Sequence, residues 1–140
     1  MRYLGLDLGT TSLGVAISDK TNTLVSPLTL IKFKKEDYND ALNKLMKIIK
    51  DKNISKVVLG LPKNMDNSLG FAAQRSLNFK KILESANVEV ILEDERLTTV
   101  EAINIMKNNG LKRINEQNKT DVLSAVLILE SYLKRQNYGK

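Results

Sequence analysis

The spacing of apolar residues changes near residue 35, and this change constrains the fold more than any other feature of the sequence. Before it, residues 3–8, 13–18 and 23–33 form short runs of β-branched and apolar residues separated by turns. Pro27 has no backbone N–H, so the third run suits an edge strand. The start of the chain therefore predicts a three-stranded antiparallel meander.

Beyond residue 35, helices and strands alternate. Apolar residues recur at helical spacing over residues 36–52 and 71–86, and each predicted helix precedes an apolar run, at 56–61 and 88–92. This order implies parallel strands joined by right-handed crossovers. Two more helices are predicted, at about 98–108 and about 120–135. The prediction is one α/β domain over residues 1–140, in which helices flank a five-stranded mixed sheet made of the meander and two parallel strands.

The composition limits the chemistry that a site in this chain can use. Among its 140 residues there is no His, Cys or Trp. A Ser-His-Asp triad, a thiol nucleophile and a His-based zinc site are therefore excluded. Carboxylates remain, and their oxygens bind hard divalent cations such as Mg²⁺ or Mn²⁺. Any active site in this chain is expected to be acidic.

The charge balance favours a polyanionic partner. Lys and Arg outnumber Asp and Glu by 22 to 16, which gives a net charge of +6 and a pI of about 9.5. The lack of cysteine and an N-terminus without a signal-peptide pattern predict a cytoplasmic protein. No apolar run approaches the roughly 18 residues of a membrane span, so no membrane partner is expected.

Three acids stand where predicted elements end or begin. Asp7 ends the first strand, Glu95 follows the fifth, and Asp121 begins the last helix, where two small residues, Ser124 and Ala125, would let it lie close on the sheet. Singly, each acid also suits an ordinary role: a turn residue, a member of a solvated charge run at 93–96, and a first-turn helix acid. Together the three would repel one another unless divalent metal bridged them. The set therefore predicts a metal site able to cleave a phosphodiester.

Four segments carry a family resemblance, in this order and over nearly the whole chain: LGLDLGTTSLGVAISD, VVLGLPKNMDNSLG, EDERLTTVEA and TDVLSAVLILESYL. They resemble the YqgF-type family of Holliday junction resolvases, also described as pre-16S rRNA nucleases. The resemblance implies an RNase H-like fold and a bacterial, cytoplasmic nuclease acting on structured nucleic acid. Matching motifs carry the family's acids onto Asp7, Glu95 and Asp121. Asn67 stands where glycine is usual in the family, and Asn tolerates the left-handed turn conformation.

Five further residues are candidates for contacts with nucleic acid. Thr10, in the turn after Asp7, suits a phosphate contact or an ordinary polar hairpin. Arg96 suits a scissile phosphate or an ion pair with a neighbouring acid such as Glu93. The candidates for backbone-phosphate contacts before the last helix are Lys112, Arg113 and Lys119.

The predicted function is a nuclease that uses one or two Mg²⁺ or Mn²⁺ ions, either at the 5′ end of pre-16S rRNA or on branched DNA. One alternative is a non-catalytic protein that binds nucleic acid or ribosomal precursor particles. A second is an actin-like ATPase-related domain, because LGLDLGTTS also resembles the first phosphate loop of that superfamily. Those proteins need two such domains, and this chain offers one. Monomer and homodimer both stay open, since symmetric junction cleavage needs two sites.

Overall fold

The computed structural model describes residues 2–62, 69–94 and 116–138, and in the last range the side chains of residues 122–136. The strands are β1 (Arg2–Leu8), β2 (Ser12–Ser18), β3 (Val25–Lys32), β4 (Ile54–Leu61) and β5 (Glu89–Asp94). The helices are α1 (Tyr38–Lys52), α2 (Phe71–Ser85) and α3 (Glu116–Tyr138). All five predicted strands are confirmed, and α3 extends beyond its predicted bounds at both ends. The helix predicted at about 98–108 lies outside the described residues.

The strands form one mixed sheet in the order β3-β2-β1-β4-β5. β1 pairs antiparallel with β2 and parallel with β4, while β2–β3 is antiparallel and β4–β5 parallel. β3 is an edge strand as predicted, and Pro27 is exposed on it, beside a register shift in the β2–β3 ladder. The predicted meander followed by two parallel strands is therefore confirmed.

Alternate residues of β1 point to opposite faces of the sheet, and each face packs in its own hydrophobic core. On one face, the larger core joins α1 and α2 to β1 through Ala41, Leu45, Phe79, Leu83, Leu4, Leu6 and Leu8. On the other face, α3 packs with Val58 of β4 through Ile128 and Leu129. Residues 3, 5 and 7 of β1 alternate with the leucines and so belong to the α3 face.

Gly5 allows α3 to lie directly on β1. A Cβ at this position would stand 2.7 Å from the Cβ of Leu129 and closer still to the carbonyl oxygen of Ala125. Ser124 and Ala125 are both buried, which confirms that small residues let this helix approach the sheet closely. Seven residues after Ala125, the Tyr132 ring packs against that of Tyr3, with 6.2 Å between centroids and the ring planes tilted by 56°. The chain direction of α3 therefore opposes that of β1.

No helix within the described ranges is long and apolar enough to cross a membrane.

Candidate functional site

Asp7 lies at the carboxyl end of β1, one residue before the strand ends. Its side chain is half-buried, its Cα pairs with Gly14 of β2, and by alternation it belongs to the α3 face of the sheet. The turn that follows is closed by the Gly9 N–H, which donates to the Ser12 carbonyl at 2.8 Å. The Gly9 N–H is therefore already hydrogen-bonded within the turn.

The hairpin after Asp7 is held by the segment that leaves β3. The Phe33 N–H donates to the Thr11 carbonyl at 3.0 Å, and the Glu36 N–H donates to the Thr10 carbonyl at 2.9 Å. Glu36 has φ 62°, a left-handed conformation that is uncommon outside glycine. The Thr10 carbonyl thus has a structural role, while the predicted contact between Thr10 and nucleic acid stays a prediction.

α3 carries Asp121 one helical turn before Ala125. Ala125 lies over Gly5, which is two residues before Asp7 on the same strand. Because α3 runs opposite to β1, the turn of α3 that contains Asp121 lies towards the carboxyl end of β1. The Asp121 side chain lies outside the described residues, as does that of Lys119.

β5 brings a second strand end to the same edge of the sheet. Leu6 pairs with Leu59, and Gly60 of β4 pairs with Glu93 of β5 in parallel register. β5 ends at Asp94, so the next residue in the chain is the predicted ligand Glu95. The predicted site residues that lie outside the described residues altogether are Glu95, Arg96, Lys112 and Arg113.

A metal site is a matter of prediction for this chain. Within the described ranges, no three or more His, Cys, Asp or Glu side chains lie close enough together to hold a metal ion. Two of the three predicted ligands, the side chains of Glu95 and Asp121, fall outside those ranges. The donor set itself fits a hard divalent cation, because all three members offer carboxylate oxygens.

Glu93 is a buried carboxylate that the sequence analysis missed. Its side chain is only 3% exposed, its Oε2 accepts a hydrogen bond from Ser131 Oγ at 2.7 Å, and its Oε1 is ion-paired with Arg135. The alternative that residues 93–96 form a solvated charge run therefore does not hold at Glu93. Strand alternation offered a signal, because Glu93 shares a face with Ile91, which packs in the α3 core.

Glu93 and Asp7 flank Gly60 on one face of the sheet. Gly60 of β4 pairs with Glu93 of β5. Leu59, the residue before Gly60, pairs with Leu6, the residue before Asp7 on β1, so Gly60 also lies beside Asp7. Two strand spacings of about 4.8 Å separate their backbones. Asp7 in this row is a candidate metal ligand, and Glu93 in the same row holds α3 in place through Ser131 and Arg135.

The sequence model of one known family matches most of this chain. The family is described as RuvX, Holliday junction resolvase, and the match covers residues 1–135. The chain belongs to the RuvX family. This confirms the family resemblance and makes the chain a member of a family of nucleases that hydrolyse phosphodiester bonds.

Curated relatives align along nearly their whole length. A protein from Bacillus subtilis (strain 168) is 41% identical over 138 residues, which cover 98% of this chain and 100% of the relative. One from Aster yellows witches'-broom phytoplasma (strain AYWB) is 43% identical over 132 residues, 93% of this chain and 87% of the relative. Both carry the provisional name of pre-16S rRNA nuclease.

A solved structure of similar fold is Thermus thermophilus RuvC in complex with a Holliday junction substrate. The TM-score is 0.62, the aligned region covers 97% of this chain and 96% of RuvC, and the sequence identity is 16%. This likeness confirms the predicted RNase H-like fold of the RuvX chain.

Proposed function

We propose that this protein is a metal-dependent nuclease for structured nucleic acid, with Asp7, Glu95 and Asp121 as its active-site carboxylates. Membership of the RuvX family supports the reaction class. The observation that carries the residue assignment is the close packing of α3 on Gly5, since it brings the helix containing Asp121 against the strand containing Asp7. β5 supports the assignment further, because it ends at the same edge immediately before Glu95.

In this proposal, the three carboxylates hold one or two Mg²⁺ or Mn²⁺ ions. Such ions polarise the phosphate, activate water for in-line attack and stabilise the leaving oxygen. The chain supplies the geometry: Asp7 lies on β1, Asp121 lies on α3, and Glu95 directly follows β5 in the chain, while the sheet fixes the two strand ends relative to each other. Phosphates next to the cleaved bond are bound by Thr10, Arg96, Lys112, Arg113 and Lys119.

For the substrate we favour the 5′ end of pre-16S rRNA, within ribosomal precursor particles. Relatives at 41% and 43% identity carry the corresponding name, whereas the junction-bound neighbour is 16% identical and supports only the fold. Branched DNA is the second candidate. Symmetric cleavage of a junction needs two active sites, so a stable homodimer would favour DNA and a monomer would favour RNA.

The decisive experiment compares purified wild-type protein with Asp7→Asn on a precursor rRNA fragment and on a four-way DNA junction, in Mg²⁺ or Mn²⁺. We expect the wild type to cleave the RNA and Asp7→Asn to lose at least about 100-fold in rate, because one ligand is removed from the metal site. Asp51→Asn is the matched control, since the exposed Asp51 lies in the last turn of α1, shortly before β4 begins at the opposite end of the sheet. Circular dichroism and urea unfolding establish that all three proteins are equally folded.

The other outcomes separate the alternatives. Cleavage of the junction alone would overturn the choice of RNA. No cleavage of either substrate, with equal binding by wild type and Asp7→Asn, would replace the nuclease with a non-catalytic binder. ATP hydrolysis with a nucleotide-dependent rise in Tm would favour the ATPase-related domain.

A further inference from the structure

Phe71 is the most exposed large apolar side chain in the described part of the chain. It is 93% exposed at the first position of α2, two residues after Leu69, which is 44% exposed. A phenylalanine in water contributes almost nothing to the core, and an exposed aromatic residue is a frequent point of contact with a ligand. Its position relative to the candidate site therefore matters.

Phe71 lies at the same edge of the sheet as the end of β1. β4 ends at this edge with Leu61, and α2 starts ten residues later and runs back towards the start of β5. α1 starts at this edge as well, because β3 ends beside the start of β2, where Lys32 pairs with Ser12. The first turns of both helices thus border the edge that carries Asp7.

A series of contacts connects the hairpin after Asp7 with the first half of α2. The Phe33 N–H is bonded to the Thr11 carbonyl, and the Phe33 ring packs edge-on against Tyr38 at 5.8 Å. The Tyr38 ring in turn lies 6.2 Å from that of Phe79. Burial raises the pKa of the Tyr38 hydroxyl, and the nearby Arg75 guanidinium opposes that rise. Arg75 is one helical turn after Phe71, so the basic and aromatic side chains share one surface.

This surface, which we call the α1–α2 rim, consists of Phe71, Arg75, Lys32, Lys34 and Lys35. The three lysines are exposed, and none of the four cations forms an ion pair with another residue in the described ranges. Within the described ranges, the acids nearest in sequence to the three lysines are Glu36 and Asp37, and the Asp37 carboxylate caps α1 by accepting from the Asp40 N–H at 3.2 Å. Among the described residues, four cations against two carboxylates give the rim a positive charge.

We propose that the α1–α2 rim binds a single-stranded segment of the substrate, with Phe71 stacked on an unpaired base and the surrounding cations on its phosphates. This inference rests on the proposed function and specifies its substrate as nucleic acid with an unpaired stretch beside the cleaved bond. An aromatic face next to a basic surface is the arrangement that binds single strands. A continuous duplex keeps its bases stacked inside the helix and offers Phe71 no partner.

The first test uses the absence of tryptophan from this chain. Phe71→Trp introduces a sole tryptophan on the rim, and Leu24→Trp introduces one at a control position that is 68% exposed and lies at the opposite edge, between β2 and β3. We expect a single-stranded RNA oligonucleotide, added without divalent cation, to quench the fluorescence of Phe71→Trp and not of Leu24→Trp. A blunt duplex of the same sequence is expected to leave both unchanged.

The second test measures binding by fluorescence anisotropy, again without divalent cation. Phe71→Ala is expected to weaken binding of RNA with a single-stranded tail about tenfold and binding of a blunt duplex little, because one stacking contact is removed. Phe71→Tyr keeps the aromatic face and is expected to bind as the wild type does. Since Phe71 contributes no buried surface, these variants are expected to unfold at the wild-type urea concentration.

Both tests are independent of catalysis, so a failure of the rim is distinguishable from a failure of the nuclease proposal. Equal quenching of the two tryptophan variants, or unchanged affinity of Phe71→Ala for tailed RNA, would overturn the rim. The rim proposal would also be overturned if sedimentation showed that Phe71→Ala dissociates a dimer without affecting RNA binding. In that case Phe71 would join two copies of this chain. Loss of cleavage in Asp7→Asn with intact stacking would support both proposals.

Discussion

The buried carboxylate of Glu93 at the end of β5 is ion-paired with Arg135, 42 residues further along the chain on α3. Ser131, one turn earlier on the same helix, donates to the other carboxylate oxygen. Besides its packing on β1 and β4, α3 is therefore held on β5 by Ser131 and Arg135. Because these elements carry or adjoin the candidate ligands, we expect Glu93 to position the proposed site.

We expect Arg135→Ala to lower the free energy of unfolding by about 1–3 kcal/mol, because it leaves the Glu93 carboxylate buried without its cation. The Arg135 side chain is 63% exposed, so solvent screens the pair and keeps the loss below that of a fully buried one. Adding Glu93→Gln to Arg135→Ala should restore part of the stability, since it removes the stranded charge. Urea unfolding of the two single variants and the double variant measures this, with exposed Lys134→Ala as control. A double variant less stable than Arg135→Ala would contradict it.

The close contact at Gly5 predicts a strong effect of one methyl group. Gly5→Ala places a Cβ 2.7 Å from the Cβ of Leu129, so α3 must move away from β1. We expect a loss of about 1–3 kcal/mol, typical of overpacking, together with a loss of cleavage in the folded fraction, because α3 carries Asp121.

Gly9→Ala is the matched control for Gly5→Ala. A Cβ at residue 9 meets its nearest neighbour, the Ser12 carbonyl oxygen, at 3.4 Å, and no shift of α3 is required. Thermal unfolding and a cleavage assay compare the two variants. Equal stability of both would mean that α3 does not depend on the glycine at residue 5.

The strands and their order followed from local patterns in the sequence. Pro27 excluded a central position for β3, and the change to helical spacing after residue 35 implied the parallel crossovers. Ser124 and Ala125 correctly indicated a close approach of α3, because small side chains are needed wherever a helix backbone lies on a strand.

Glu93 could not be predicted in the same way. It lies in an acidic stretch, and its burial depends on Ser131 and Arg135, which meet it only after α3 has packed on the sheet. The exposure of Phe71 was also missed, because an apolar residue at the first position of a helix normally indicates the core. The candidate ligands Glu95, which directly follows β5, and Asp121 on α3 remain predictions from their place in the sequence.

Two serines on helices should respond in opposite directions to replacement by alanine. Ser76 on α2 is 1% exposed, and its Oγ has no hydrogen-bond partner within the described ranges, whereas Ser131 Oγ donates to Glu93. We expect Ser76→Ala to raise the free energy of unfolding by about 1–2 kcal/mol and Ser131→Ala to lower it by about 1–2 kcal/mol. Urea unfolding at pH 7 measures both, and a destabilised Ser76→Ala would mean that its hydroxyl is bonded after all.

The turn between β2 and β3 predicts a dependence of stability on acid pH. The Thr23 N–H donates to the Asp19 carboxylate at 2.8 Å and, with further donation from the Leu24 N–H and the Thr21 hydroxyl, holds the pKa of Asp19 below its ordinary value of 3.8. A carboxylate with a lowered pKa in the folded state stabilises the protein above the unfolded pKa, and this contribution is lost as pH falls through the folded pKa.

Asp19→Asn keeps an oxygen acceptor in the turn but cannot titrate. We therefore expect the wild type to be more stable than Asp19→Asn at pH 7, and this advantage to shrink below about pH 4. Urea unfolding from pH 2 to 7 measures the difference, and an advantage that stayed constant down to pH 2 would show that the hydrogen bonds in this turn do not depend on the charge of Asp19.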